Sequence, residues 1–215
     1  MKALATIALL LTASAAAAQP PTDLPLPRAD VQAAVGWQNL RGESTLTSNN
    51  WMNSIATFDA AAGWYWTEHL RTQVDAGFGS TGRQYRAEQV LDDRTPAYAL
   101  IDTRVTPNTF AVSQQYQFFH NAVFHPHIGA GLLVRREHVV QQTAPVSVFD
   151  PVTRQSTIVQ PGHLEERDRT QVRPFTDVGF KAYLNERAFF VTDTRLTIGR
   201  RVDGVLFRFG FGVDF

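Results

Sequence analysis

In a 215-residue chain with no cysteine, the six histidines are where chemistry would start. An acyl hydrolase needs a hydroxyl nucleophile within reach of a base, which on one strand means His and Ser two residues apart. His69, His120, His125, His127, His138 and His163 offer no such pair, so no catalysis is expected. His125 and His127 share a strand face at a spacing able to chelate a metal. Hydrogen bonds to nearby carboxylates are their plainer use, and neither a metal nor any other cofactor is expected. Asp59 and Asp75 could form an acid–base pair, but arginines in matching number make them salt-bridge partners instead. Gly129-x-Gly131 lacks the strand-to-helix setting of a nucleotide site. Without thiols there is neither a disulfide scaffold nor a cysteine zinc site.

The elements that would hold these residues follow from charge and periodicity. Twenty basic side chains against twenty acidic ones give no field to gather phosphate backbones, so nucleic acid is excluded as a partner. Residues 1–18 read as a secretory signal peptide: Lys2, an apolar stretch from Ala3 to Leu11, and a small-x-small cleavage site after Ala18. Residues 19–28 carry Pro20, Pro21, Pro25 and Pro27, an extended lead-in that neither a helix interior nor a central strand accepts. No later segment approaches the roughly 18 apolar residues of a membrane helix.

From Ala29 onward the period is two. In Val205 to Phe215 every odd position is apolar, while from Arg208 on the even ones carry Arg208, Gly210, Gly212 and Asp214. The same alternation runs from Val31 to Trp37, Phe58 to Trp66, Leu70 to Phe78, Phe110 to Phe118, Ile128 to Val134, Val178 to Leu184 and Phe190 to Ile198, eight strands in all. Tight turns after Trp66, Phe119 and Leu184 alternate with long polar connections at Leu40–Asn50, Ser80–Asp102 and about Val139–Arg169. Short turns at one end and long loops at the other mark an up-and-down barrel with both termini on the short-turn side.

In a soluble lipocalin-like barrel the apolar face points inward, and in a membrane barrel outward. The polar face collects Asp30, Asp59, Asp75, Asp177, Asp193 and Asp214 with Arg71, Arg135, Arg173, Lys181, Arg195 and Arg208. Equal numbers of each sign suit pairing inside a narrow lumen, where an unpaired charge would cost several kcal/mol. The glycines share that face, where a crowded interior needs missing side chains. Trp64, Trp66, Tyr116, Phe118, Phe124 and Phe190 fall beside the short turns as an interfacial girdle would, with Trp37, Phe78, Phe110 and Phe207 toward the other rim. These phases favour a membrane barrel over a secreted lipocalin-like one.

The ending Phe207, Phe209, Phe211, Val213 and Phe215 resembles the C-terminal signal by which the barrel assembly machinery recognises outer-membrane proteins. The segments Phe124 to Leu132 and Phe190 to Arg195 resemble strands of small eight-stranded outer-membrane β-barrels of the OmpA/OmpX type. The resemblance covers 29–215 and implies an all-β, antiparallel transmembrane barrel of the cell outer membrane, in contact with its lipids and lipopolysaccharide. Nothing follows Phe215, so no peptidoglycan-binding domain is expected. The expected role is structural or surface-interacting through the extracellular loops, with a narrow channel for small or hydrophobic solutes as the alternative. In the third loop, Val146 to Phe149 and Ser156 to Val159 flank Asp150-Pro151, as a protruding hairpin or a plain surface loop would. Its surface partner is unknown, and Gly162 to Arg169 reads as a solvated return whose arginines could touch lipopolysaccharide phosphates.

Overall fold

A strand with one apolar face is stable in lipid only if its sheet leaves no open edge there. The computed structural model describes residues 28–41, 51–90, 97–119 and 123–215. Its barrel strands are β1 (Ala29–Leu40), β2 (Ile55–Tyr65), β3 (Leu70–Gly79), β5 (Tyr98–Gln117), β6 (Phe124–Thr143), β9 (His163–Tyr183), β10 (Ala188–Ile198) and β11 (Val202–Asp214). Each pairs antiparallel with the next, β3 pairs with β5, and β11 returns to β1, so the ring closes. The expected signal peptide and most of the expected Pro-rich lead-in lie outside the described residues, as do 42–50 of the first connection, 91–96 of the second and 120–122 of a short turn.

Along these strands burial alternates with polarity reversed from that of a soluble core. Asp30, Asp59, Asp75, Lys181, Arg195 and Arg208 are buried, while Trp37, Phe58, Trp64, Phe78, Phe110 and Leu132 stand exposed on the outer wall. The outward apolar belt rules out the lipocalin-like arrangement and defines a transmembrane barrel.

Length then divides the molecule. About 9–11 tilted residues cross a membrane, which β1, β2, β3, β10 and β11 match at 10–13 residues. By contrast, β5 and β6 have 20 residues and β9 has 21. Their outer halves rise beyond the apolar belt together with β4 (Gly82–Gln89), which continues β3 along β5. The break between β3 and β4 falls opposite Pro107, which has no N–H for the ladder. A Cβ on Gly79 would come within 2.7 Å of the Pro107 ring.

Two of the long connections are therefore shorter than the sequence suggests. The second is largely β4 and the start of β5, and β6 and β9 stay paired up to Thr143 and His163. Gly162–Arg169 belongs mostly to β9 and is not a loose return. Between them β7 (Val146–Asp150) and β8 (Gln155–Gln160) form a separate hairpin. Its turn closes because the Asp150 carboxylate accepts from Val152 N and Thr153 Oγ1, each at 2.8 Å, with Pro151 fixing the first corner.

Candidate functional site

The polar faces meet in the lumen as three layers of charge. At the short-turn end, register sets Asp30 directly opposite Asp214, an unfavourable pair unless cations intervene. Lys181 from β9 does so, at 2.8 Å from Asp30 and 3.7 Å from Asp214. Arg71 from β3 clasps Asp30 with two donors, Nε lying 2.6 Å from Oδ2. Tyr183 donates to Asp214, Lys181 donates to the Tyr65 hydroxyl at 2.5 Å, and the ammonium sits 3.9 Å from the Phe189 ring centroid. The Arg71 head occupies the space where a Cβ on Gly63 would lie, so Gly63 makes room for this clasp.

The middle layer joins Asp75, held by Arg195 at 3.0 and 2.7 Å, to Asp193, held by Arg208 at 2.8 Å. Arg208 Nη1 also faces Asp75 at 3.4 Å and Asp59 at 3.6 Å, so one guanidinium serves three carboxylates. Glutamines connect the layers. Arg71 donates to Gln73 and Gln115, and Gln115 Nε2 donates to Asp177 at 2.9 Å. Asp177 reaches no cation within 4.0 Å among the described residues; an amide holds it.

The outer layer contains residues outside the sequence-derived set. Arg135 Nε lies 2.7 Å from Glu137, which also binds Arg169, and Arg173 pairs with Asp203 at 2.9 Å. Above this, Leu40, Met52, Ile55, Val105 and Val139 form a buried apolar cluster across the mouth. Sequence reasoning missed Glu137, Asp203 and Met52 because they stand in or beside segments read as connections. The one usable signal was continued alternation through Arg135-x-Glu137-x-Val139.

Outside the lumen, Trp37 stacks on Phe207 at 6.1 Å and lies 5.6 Å from Phe209. Near the short turns Phe124, Phe180, Phe190 and Phe211 form a chain of rings with steps of 4.7, 6.3 and 5.6 Å. Tyr116 meets Phe118 edge-on at 5.1 Å, and Trp66 donates to Thr72 at 2.7 Å. Phe215 and Val213 are exposed at the end of β11.

The described histidines form no cluster, and His120 lies outside the described residues. His69 contacts the Gln117 carbonyl at 2.9 Å, His138 contacts Asp168 at 2.9 Å, and His125 packs edge-on to Tyr183. His127 is buried, but neither ring nitrogen has a hydrogen-bond partner, so it does not bind a carboxylate. No group of three potential metal-binding side chains occurs among the described residues. His138 and Arg136 hold the Asp168 carboxyl, which is above the belt, below the usual carboxylate range.

A family model described as outer membrane protein beta-barrel domain matches residues 4–215. Among solved structures, the chain is similar to Neisserial surface protein A at 16% identity and TM-score 0.54, covering 87% of this chain and 97% of that one. It is similar to the N-terminal β-barrel domain of Pseudomonas aeruginosa OprF at 13% identity and TM-score 0.53, covering 88% and 98%. It is also similar to P. aeruginosa OprG at 13% identity and TM-score 0.51, covering 88% and 97%. At these identities the likeness concerns the fold. No curated protein sequence matches the chain.

Proposed function

This chain belongs to the outer membrane β-barrel family, and from that membership we propose a non-catalytic role exerted at the cell surface by the wall of β4, β5, β6 and β9 with its β7–β8 hairpin. The observation that carries the reading is the unequal strand length. Three strands of 20–21 residues exceed what a membrane needs, whereas the lumen they leave behind is filled by charged side chains. Protruding structure without an open conduit suits presentation to a partner better than passage of a solute.

Export by a signal peptide cleaved after Ala18, recognition of Phe207 to Phe215 by the barrel assembly machinery, and contact with lipopolysaccharide complete the proposal. Planar-bilayer recording with purified protein tests its functional half. Reproducible single-channel steps abolished by removing the β7–β8 hairpin would sink it in favour of a narrow channel. N-terminal sequencing of the exported protein tests the cleavage site.

A further inference from the structure

Between the charged lumen and the tip of the wall lies a cavity whose polar lining is dominated by donors. Arg41 just after β1, Gln84 and Arg86 on β4, and Arg167 and Arg169 on β9 surround it, and among the described residues Glu137 is the only acid lining it. That acid is already engaged by Arg135 and Arg169. Gln84 is only 9% exposed, yet its Nε2 has no hydrogen-bond partner, and neither does the buried Nε of Arg41. A buried amide donor left without an acceptor is costly unless a ligand supplies one. Among the described lining residues no buried side-chain acceptor lacks a partner, so the missing group is an acceptor.

Charge and shape narrow it further. The described lining holds four arginines, of which Arg169 is paired with Glu137 and Arg167 lies 3.8 Å from Glu165; the unpartnered Nε of Arg41 belongs to a guanidinium fork of the kind that matches oxyanions with paired hydrogen bonds. Leu40, Met52, Val105 and Val139 of the apolar cluster line the same cavity, where they lower the local dielectric and strengthen those contacts. The enclosed space is about 30 Å³, or roughly two to three waters at about 10–15 Å³ each. That admits one oxyanion head, with the rest of its molecule outside. The donors come from β1, β4 and β9, which stand on different sides of the mouth, and so suit a tetrahedral group better than a planar carboxylate.

We propose that this mouth cavity binds the phosphate group of an extracellular solute or glycan, with Arg41 and Gln84 as direct donors. The assignment of this end to the cell exterior rests on the reading above, but the site itself does not. Isothermal titration calorimetry on the full folded chain in detergent, with inorganic phosphate, glucose 1-phosphate and acetate, tests it. Glucose 1-phosphate is expected to bind, and Arg41→Gln and Gln84→Leu each to weaken it by about tenfold or more, the effect of losing a charge-assisted hydrogen bond. Equal binding of inorganic phosphate would identify the free ion as the ligand, whereas tighter glucose 1-phosphate would identify an organic monoester; both support the site. Three results would overturn it: no heat with either phosphate, affinity unchanged in both variants, or acetate binding as tightly. Heat-modifiable gel migration of each sample confirms folding, so a folded protein that binds nothing rejects the site and leaves the barrel reading intact.

Discussion

Asp30 has two cations as partners, Arg71 and Lys181, and all three side chains are shut away from water. Asp30→Ala removes the carboxylate that Arg71 clasps and leaves Lys181 with only the longer contact to Asp214 at 3.7 Å, and should lower unfolding stability by about 3–5 kcal/mol, the usual cost of breaking a buried ion pair from one side. Asp168 is the contrasting case. Its lowered carboxyl pKa means that any stability from His138 and Arg136 is present above the usual carboxylate range and fades only as pH falls through the lowered value. Because that trio is exposed to water, Asp168→Ala should leave the urea midpoint at neutral pH unmoved. Tryptophan fluorescence during urea unfolding in detergent compares the two, and an equal effect for both would contradict the layered lumen. The alternation in the sequence gives the inward face of each charge but not the partner it meets. Lys181 and Asp30 are 151 residues apart, and their meeting depends on the stagger of strands around the ring.

Strands show the same limit at larger scale. Within the membrane one face meets lipid and the other the lumen, so Ile128 to Val134 and Val205 to Phe215 alternate plainly. Above it both faces meet water or a polar mouth, and the contrast fades although the ladder continues from Arg136↔Thr170 to Thr143↔His163. This is why β4 and the outer halves of β6 and β9 read as connections. The β7–β8 hairpin pairs only with itself, so it should be dispensable for barrel assembly. Joining Ala144 to Gly162 through Asn-Gly keeps Thr143 opposite His163 across a tight turn, and the variant should retain heat-modifiable migration. Loss of that behaviour would make the hairpin part of the folding unit. The cysteine-free background allows a test of orientation. Val152 at the hairpin tip is 89% exposed, so Val152→Cys should react with a membrane-impermeant maleimide on intact cells. Labelling only after lysis would place the wall in the periplasm.

For the whole molecule the question is whether anything passes through. An eight-stranded ring encloses little more than its own side chains, and here three layers of paired charge stand in series with an apolar closure at the mouth. A hydrated ion would have to part the salt bridges around Arg71 and Arg208 and also wet the cluster of Leu40, Met52, Ile55, Val105 and Val139. Opening one barrier therefore leaves the other. The native protein should be electrically silent in a planar bilayer, and so should Leu40→Ser combined with Val139→Ser, which wets the mouth but leaves the charge layers below intact. Steps in the native protein would mean that the charge layers rearrange under voltage. Steps only in the double variant would make the apolar cluster the sole seal, and the salt bridges beneath it would then be stabilising pairs with no part in closing the lumen.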